Sequence, residues 1–461
     1  MREFELVIDG LKNGLSPLRK TPANTQILFE CLGFRCGIGE LEPYEELENP
    51  LPATIDLLYS WPFPQFLTGE RYNFLLIRDD VTNMEDILYQ VSDDHQTLTH
   101  IISIDQLTFG TGSLMELADF GEYAFLTNGV VMVYRDTTLN NWQKASSLTK
   151  IPMMKTVCNF KGQMIGGNIV SAWHSCNEQY YVWSKIGEAD FTPDRKNQSG
   201  FRRDPYGGEV FHVRRLGDSV IGYSSKGIIS MVPVGSPAAT FAFIELLDIG
   251  LVNRGAINGN QFIQCFVGED YILRRITSNG IEELGYQNQM ESLIGEDIIV
   301  NFDPSLKDFY IGNSSKTFLL TSKGLTEVPQ HPSNVWRKNS QTYMLPDAID
   351  DYQALIVTEQ FNMEYSGQKT ISTIESDLIA DNNGEIAVDY SLDNKVFATT
   401  PFNPINDQGS GFISAVGNSL RFRLRFNPDL GATIGYIKVR YKMTDLRGIR
   451  GVYAPPLRGQ R

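Results

Sequence analysis

The stretch GEYAFLTNGVVMVYRD, residues 121–136, predicts two short β-strands joined at Asn128-Gly129. Apolar and polar side chains alternate on each side of this dipeptide, as they do in a strand with one buried face. Asn-Gly favours a type I′ turn, because both central residues of that turn need a positive φ. The stretch is therefore typical of a tight β-hairpin.

Similar segments recur through the middle of the chain, with glycine at the predicted reversals Lys226-Gly227, Asn279-Gly280 and Lys323-Gly324. If the copies start at residues 121, 161, 216, 258 and 306, the steps between them are 40, 55, 42 and 48 residues. A looser copy starts at Glu70. A four-stranded propeller blade takes about 40–50 residues. The period favours an all-β fold with a propeller of about six blades over a large β-sandwich, because a closed ring solves the problem of unpaired edge strands.

The pattern changes near residue 345. Short alternating strands such as GFISAVGNSLRFRLRFN, from Gly411, follow one another closely and predict a small antiparallel β-sandwich. The last residues are rich in Gly, Pro and Arg without a period, which indicates an extended arm. We expect an N-terminal arm and strand at 1–55, a β-propeller at 56–345, a β-sandwich at 346–445 and a basic C-terminal arm at 446–461.

Composition excludes several classes of protein. The chain has 461 residues and a formal net charge of −15, which argues against broad binding of nucleic acid or of an anionic membrane surface. The first ten residues lack the pattern of a secretory signal, and no apolar run reaches the roughly 18 residues that a membrane helix needs. We therefore expect no membrane insertion.

The cysteines do not predict a metal site. Cys31 and Cys36 are close in sequence, but Cys158, Cys176 and Cys265 supply no second pair of ligands. The odd number of cysteines also argues against a disulfide framework. We predict buried thiols, no metal and no cofactor.

No catalytic motif is evident, so we predict no catalytic residues and no enzyme. The Ser/His pair around His174 lacks a nucleophile elbow, which favours a packing role. The segment SLDNKVF, from Ser391, faintly resembles a sialidase box, but it occurs once and lies outside the repeats. A hairpin turn is the favoured interpretation of that segment, and a carbohydrate enzyme is the alternative.

Charge is distributed unevenly along the chain. Residues 421–461 contain eight arginines, two lysines and two aspartates, which gives a net charge of +8. The rest of the chain therefore carries a net charge of −23. Basic and apolar residues alternate here, which puts the basic side chains on one face of each strand. That face is either solvated or bound to an anionic partner, and the acidic stretch from Glu40 to Glu48 suggests head-to-tail contact between identical subunits that closes into a ring. The candidate interface residues are Glu40, Glu42, Glu45, Glu46, Glu48, Arg421, Arg423, Arg425, Lys438, Arg440, Lys442, Arg447, Arg450, Arg458 and Arg461.

Three segments resemble structural proteins of bacteriophage tails. They are GFRCGIGELEP from Gly33, the stretch from Phe302 to Trp336, and IGYIKVRYKMTDLRGIRGVYAPP from Ile434. The family that they are similar to is the tail nozzle, or tail tubular (hub), β-propeller proteins of short-tailed phages. The Phe302–Trp336 stretch resembles the last propeller blade of that family.

The resemblance implies a virion protein, assembled in the cytoplasm of the host bacterium. It would form a homo-oligomeric ring of about six copies below the portal and adaptor, among other tail or fibre proteins. The ring would line the DNA exit channel, and phage DNA would pass through without specific binding because an acidic lumen repels phosphate. The alternative functions are a host-receptor-binding adhesin and a polysaccharide depolymerase of the tail.

Overall fold

The computed structural model describes most of the chain between residues 150 and 328 and shorter segments on either side. The described residues are 2–7, 28–32, 55–67, 70–79, 85–91, 98–105, 116–120, 123–127, 132–136, 141–144, 150–170, 173–194, 198–236, 239–304, 306–322, 324–328, 334–338, 341–345, 353–358, 360, 367–376, 383–393, 395–427 and 436–444.

The chain forms two compact units. The propeller unit comprises Pro43–Ser315 and His331–Ala348, and the sandwich unit comprises Met1–Glu42, Lys316–Gln330 and Ile349–Arg461. The boundaries expected from the sequence, at residues 55, 345 and 445, stay predictions. Two strands precede the propeller, β1 (Arg2–Val7) and β2 (Leu28–Leu32), and both belong to the sandwich unit.

The propeller unit contains five four-stranded antiparallel sheets, each built from consecutive strands. The first sheet contains β3 (Ile55–Leu67), β4 (Glu70–Asp79), β5 (Glu85–Val91) and β6 (Leu98–Asp105), and the second contains β7 (Glu116–Phe120), β8 (Tyr123–Thr127), β9 (Met132–Asp136) and β10 (Asn141–Lys144). The third contains β11 (Met154–Phe160), β12 (Gln163–Ile169), β13 (Tyr180–Trp183) and β14 (Gly200–Arg203), and the fourth contains β15 (Val210–Leu216), β16 (Ser219–Ser224), β17 (Ile228–Ser236) and β18 (Ala239–Leu247). The fifth contains β19 (Ile257–Gly259), β20 (Ile263–Val267), β21 (Leu273–Thr277) and β22 (Gly280–Gly285).

The rest of the chain adds hairpins and the strands of the sandwich. The short helix α1 (Gln287–Glu291) precedes the hairpin of β23 (Ile299–Asp303) and β24 (Asp308–Gly312). The strands β25 (Thr317–Thr321) and β26 (Gly324–Val328) belong to the sandwich unit, and β27 (Asn334–Lys338) and β28 (Gln341–Leu345) form a hairpin of the propeller unit. The remaining strands are β29 (Ala354–Thr358), β30 (Lys369–Ser376), β31 (Glu385–Ser391), β32 (Ala398–Thr399), β33 (Asn403–Pro404), β34 (Ser410–Gly417), β35 (Ser419–Phe426) and β36 (Tyr436–Met443).

The propeller unit is organised around the first strand of each sheet. Contacts join β3 to β7, β7 to β11 and β11 to β15, and further contacts join β19 to β23, β23 to β27 and β27 back to β3. The two-stranded β27–β28 element thus closes the series. This arrangement confirms the predicted β-propeller fold, with a hairpin in addition to the expected four-stranded blades.

The predicted copies share one phase, but each begins one strand too late. The six predicted starts, at residues 70, 121, 161, 216, 258 and 306, lie at or beside the connection between the first and second strands of their sheets, so the strand taken as the first of each copy is the second of its sheet. The turn signals succeeded because hairpin chemistry is local: Gly280 has a φ of +117° where β21 meets β22. The flanking strands β8 and β9 also pair, although Asn128 and Gly129 lie outside the described residues.

Close approach between sheets requires glycine at two positions. A Cβ atom on Gly227, between β16 and β17, would lie 2.2 Å from the ring of Tyr206. A Cβ atom on Gly222, in β16, would lie 2.6 Å from the ring of Tyr181 on β13. The second contact lets the sheet of β15–β18 pack closely against the sheet of β11–β14.

Aromatic side chains fill the spaces between neighbouring sheets. Trp183 on β13 meets Phe241 on β18 with ring centroids 5.4 Å apart, and Tyr181 meets Phe243 at 5.5 Å. Tyr223 on β16 meets Phe266 on β20 at 5.7 Å. Because each sheet buries its faces against its neighbours, the propeller core is divided into a series of layers between blades.

The sandwich unit contains two sheets. One has the order β1-β36-β30-β34, and the other includes β26-β2-β29-β35-β31, with β32 and β33 both paired to β31. The two sheets pack closely, since a Cβ atom on Gly411 of β34 would lie 2.5 Å from Ile386 of β31. This confirms the predicted C-terminal antiparallel sandwich, with one parallel pairing between β2 and β26. Among the described residues, no helix is long and apolar enough to cross a membrane.

Candidate functional site in the first strands of the propeller

Many of the interface residues predicted from sequence lie outside the described part of the chain. The acidic stretch is outside it, as are the basic residues after residue 444 and the cysteine at position 36. Cys31 lies on β2, where only the backbone is described. The predicted interface residues that lie outside the described part of the chain are Glu40, Glu42, Glu45, Glu46, Glu48, Arg447, Arg450, Arg458 and Arg461.

The two predicted basic strands do not pair with each other. The arginine-rich β35 lies between β29 and β31, whereas β36 lies between β1 and β30 in the other sheet. The register places Arg425 opposite Glu385, and Arg421 opposite Asp389. Each basic strand therefore has an acidic neighbour in its own sheet, which removes the repulsion that pairing of the two would cause.

The arginines of β35 interact with groups of the sandwich unit itself. The Nε of Arg423 donates to Asp389 at 2.7 Å, and Arg425 forms an ion pair with Glu385. The guanidinium groups of Arg421 and Arg425 lie 4.3 and 4.2 Å from the ring centroids of Phe397 and Phe402. The basic face of β35 is thus neutralised locally by carboxylates and covered by aromatic rings.

The basic residues of the second strand, β36, also lie beside carboxylates. Arg440 forms an ion pair with Glu375 of β30 at 2.8 Å, and the register places Lys438 opposite Glu375 on one side and Glu5 on the other. Lys442 is exposed and lies opposite Thr370. The predicted contact between subunits through this face stays a prediction, since the intramolecular carboxylates already supply counter-charges.

The most concentrated buried chemistry lies elsewhere, on the first strands of three propeller sheets and the loop before a fourth. We call this set the polar cluster: Glu116 on β7, Thr156 on β11, His212 and Arg214 on β15, and Arg254 before β19. Glu116 is 8% exposed and His212 is fully buried. Residues about 40 to 100 positions apart in the sequence therefore meet at one place.

Glu116 is the centre of the polar cluster. One carboxylate oxygen accepts from the hydroxyl of Thr156 at 2.6 Å and from the backbone N–H of Val157 at 3.0 Å. The other contacts Nδ1 of His212 and lies 3.9 Å from the guanidinium of Arg214. Thr156 also accepts from the backbone N–H of Val213 at 2.9 Å. The carboxylate thus joins three successive first strands.

His212 and Arg254 extend the polar cluster to a fourth sheet. The Nε2 of His212 lies 2.6 Å from the backbone oxygen of Arg254, and the guanidinium of Arg254 donates to the backbone oxygen of Lys155. Gly255, next in the chain, accepts from the backbone N–H of Val300 at 3.0 Å. Arg254 thus contacts β15 through its backbone oxygen and β11 through its guanidinium, and the next residue, Gly255, contacts β23.

Burial and charge act in opposite directions on these groups. Burial would raise the pKa of Glu116, but the interaction with His212 and the charges of Arg214 and Arg254 outweigh it and lower the pKa to about 2. Burial lowers the pKa of His212, although Glu116 opposes this shift. Burial, assisted by Arg214, also lowers the pKa of Arg254. Glu116 is consequently a permanent anion at neutral pH.

The positive groups of the polar cluster are incompletely satisfied. The Nε atoms of Arg214 and Arg254 are both buried, and neither has a hydrogen-bond partner within the described part of the chain. Lys155 borders the cluster and lies 3.4 Å from Glu209. Leaving His212 aside, Lys155, Arg214 and Arg254 carry three positive charges, and the carboxylates described beside them, Glu116 and Glu209, carry two negative ones. The arrangement can therefore accommodate one further anion.

Motif analysis missed the polar cluster because its members come from separate blades. Alignment of the repeats would have supplied a signal, however. Glu116 and Thr156 each precede a predicted repeat start by five residues, and His212 and Arg254 precede theirs by four. Polar residues thus recur four or five residues before successive repeat starts, which indicates the same region of each blade but not the same face, because neighbouring residues of a strand point to opposite faces.

The other sequence candidates have structural surroundings. The carboxylate of Asp393 accepts from Ser391 and from the backbone N–H groups of Lys395 and Val396 within the β31–β32 connection, as expected for a turn. His174 is exposed and lies beside Trp173. Among the described residues, no group of three or more His, Cys, Asp or Glu side chains is arranged to hold a metal ion.

Comparison with known proteins gives matches at the level of structure only. No family model matches the chain, and none of the curated proteins compared with it does. Kluyveromyces lactis Hsv2 matches with 12% identity over 63% of this chain and 86% of that one, at a TM-score of 0.32. U3-55K matches with 11% identity over 67% and 92%, at 0.36. The WD40 repeats of RRP9 match with 11% identity over 68% and 91%, also at 0.36.

These matches correct the function expected from the sequence. The neighbours are WD40-repeat propellers and not phage tail proteins, which contradicts the predicted virion ring protein. The matches do not support the alternative of a tail adhesin or depolymerase either, so that prediction is withdrawn with it. The segments that carried the resemblance are short strands and turns, and a shared fold does not fix a function. What the chain has in common with the neighbours is the propeller fold.

Proposed function

We propose that this protein is a non-catalytic β-propeller scaffold that associates with a second copy of itself through the edge of β18. The observation that carries the proposal is the exposure of this outermost strand. β18 is nine residues long, and within the described residues it pairs only with β17. Ile244 is 49% exposed and Leu246 is 39% exposed. A long apolar edge with open backbone groups is a template for another strand.

The outer strands of the neighbouring sheets lack these properties. β14 has four residues and ends with Arg202 and Arg203. β22 carries Glu282 and Glu283, which form ion pairs with Arg275 and Arg274 of β21. Short strands and charged side chains protect sheet edges from unintended pairing. Of these three outer strands, β18 alone combines greater length with exposed apolar side chains, so it is the one of the three best suited to associate.

Charge favours a second copy as the occupant. Antiparallel pairing of two β18 strands about Ile244 would place Phe243 of each copy opposite Glu245 of the other. Arg202 lies over the ring of Phe243, 4.6 Å from its centroid, so Glu245 of one copy would approach a guanidinium of the other. Ile244 would meet its own counterpart at the centre of the pairing, so the contact there is apolar. Such a contact is isologous and closes as a dimer.

The titratable groups described in the propeller favour a scaffold over an enzyme. Burial raises the pKa of Cys176 to about 11 and that of Cys265 to about 12, so both thiols stay protonated at neutral pH. Glu116, with its pKa lowered to about 2, exchanges no proton near neutrality. General acid–base groups work best with a pKa near the working pH.

Sedimentation velocity over a series of concentrations tests the association. We expect the parent protein to form a dimer and Ile244→Lys to be monomeric, because a charge at the centre of the edge opposes strand pairing. Phe262→Lys is the matched control: Phe262 is 69% exposed, but it lies in the β19–β20 connection. A parent protein that stays monomeric at its highest soluble concentration would contradict the proposal. So would equal dissociation by the two variants.

A further inference from the structure

Arg214 and Arg254 form a pair of cations in the polar cluster. Arg214 lies on β15 and Arg254 on the loop before β19, and each affects the electrostatic surroundings of Glu116, His212 and the other. The Nε atom of each is buried and has no hydrogen-bond partner among the described residues. A guanidinium stays protonated in proteins, so neither group can reduce its cost by losing a proton.

The carboxylate of Glu116 has little capacity left for this pair. One oxygen already accepts from Thr156 and Val157, and the other contacts His212. Its nearest approach to Arg214 is 3.9 Å, which exceeds hydrogen-bond length. Burying a charged donor without an acceptor is costly, and additional oxygen acceptors would lower that cost.

The region is also cationic in a chain of net charge −15. Arg214, Arg254 and Lys155 carry three positive charges, against one each on Glu116 and Glu209. The side chain of Arg214 is 22% exposed, so solvent reaches part of it. Buried donors, excess positive charge and access therefore coincide at one place.

We propose that Arg214 and Arg254 together bind a small oxoanion, a phosphate or carboxylate group, among the first strands of the propeller. Guanidinium groups match the planar or tetrahedral oxygens of such groups with paired N–H donors. The anion would satisfy both Nε donors and neutralise the excess charge. The inference does not depend on association through β18, since that edge and the polar cluster involve different residues.

Binding is measured by isothermal titration calorimetry on the full chain at constant ionic strength, with inorganic phosphate in one arm and acetate in the other. We expect saturable binding of one anion per chain in at least one arm. Preference for phosphate would indicate a phosphorylated natural ligand, and preference for acetate a carboxylate one. The imidazole resonances of His212 should shift with the same saturation curve, which would locate the anion beside the cluster. Absence of saturable binding in both arms would overturn the proposal.

Two arginine variants locate the site. Arg214→Gln should weaken binding about tenfold or more, because a charge-assisted hydrogen bond is lost. Arg215→Gln is the matched control, since Arg215 is the next residue on β15 but is exposed, and its binding should stay within about twofold of the parent. Equal weakening by both variants would show general charge attraction and refute the site. Arg214 is the preferred target because Arg254 also bonds to the backbone of Lys155, so its replacement endangers folding.

Discussion

The polar cluster of the propeller and the strand β35 of the sandwich both set arginines beside carboxylates, but they differ in how completely the charges are matched. On β35, Arg423 and Arg425 each have a carboxylate partner, and aromatic rings cover Arg421 and Arg425. In the polar cluster, Arg214 and Arg254 share one carboxylate that is occupied by other donors. Beside β35, the carboxylates of Asp389 and Glu385 each pair with an arginine of that strand, whereas in the polar cluster two arginines face one carboxylate whose oxygens bind other donors.

The difference shows what a charge pattern in the sequence leaves open. A run of alternating arginines is visible in the sequence, and Asp389 and Glu385 on the adjacent strand β31 supply counter-charges for it, so its role between subunits stays a prediction. Unsatisfied hydrogen-bond donors arise where single residues from several blades converge, and no local sequence pattern predicts them. A binding site is better sought where matching is incomplete.

Glu116→Gln should have the largest effect on the comparison. The change removes the anion that faces His212, Arg214 and Arg254, and it leaves buried cations without a counter-charge. We expect the opening free energy of the first-strand region to fall by about 3–5 kcal/mol. Hydrogen exchange of the Val157 and Val213 amides, whose acceptors are Glu116 and Thr156, measures this locally.

Asp389→Asn is the counterpart of that change in the sandwich unit, because Asp389 is 2% exposed and bound by Arg423. It should accelerate exchange in β31 and leave the propeller amides unchanged. Protection of Val157 that survives Glu116→Gln would show that the carboxylate does not hold the first strands together.

Acid should weaken the polar cluster next most strongly. The folded pKa of Glu116 is lowered from 4.5 to about 2. The carboxylate therefore stabilises the fold fully above about pH 4.5, and this contribution is lost as the pH falls towards 2. The shift corresponds to about 3 kcal/mol. Hydrogen exchange of the same amides between pH 5 and 2, corrected for intrinsic rates, should show this loss in the parent and not in Glu116→Gln. A parallel loss in both proteins would assign it to His212, whose pKa burial lowers, or to other carboxylates.

Arg423→Ala should have an intermediate effect, about 1–3 kcal/mol, on the sandwich unit. The change leaves the buried Asp389 with Thr399 as its remaining side-chain donor, at 2.8 Å. The exposure of Arg423, 27%, reduces the cost relative to Glu116→Gln, because solvent reaches part of the pair. Arg423→Lys keeps the charge and should recover part of the loss in a denaturant titration. No difference between Arg423→Ala and the parent would mean that this ion pair adds nothing to stability.

Arg440→Ala should have the smallest effect. Arg440 and Glu375 are 38% and 22% exposed, and such pairs contribute about 0.2–1 kcal/mol. The same denaturant titration applies, and raising the salt concentration should reduce the difference from the parent further. A loss as large as that of Arg423→Ala would indicate that β36 depends on its charges as strongly as β35 does.

The sequence predicted those parts of the structure that depend on neighbouring residues. Gly280 takes a positive φ that glycine tolerates, as expected at a turn. In β35, from Ser419 to Phe426, the alternation of basic and apolar residues is enough to predict which side chains share a face. The closing hairpin of β27 and β28 was missed because the signal for a blade is four strands, and this element has two. The pairing of Glu116 with His212 depends on three sheets packing together, so no local propensity encodes it.

The pairing of β1 with β36 has a consequence for the order in which the protein can be made. Arg2 lies opposite Tyr441, so β1 has to wait for a partner that is synthesised more than 400 residues later. At roughly 5–20 residues per second, that interval lasts roughly 20–90 s. Residues Pro43–Ser315 emerge within it, and the blades can fold one after another while the edge of the sandwich is still unprotected. The sandwich unit can therefore complete this pairing only after β36 has been made, because two strands that lie side by side are far apart in the sequence.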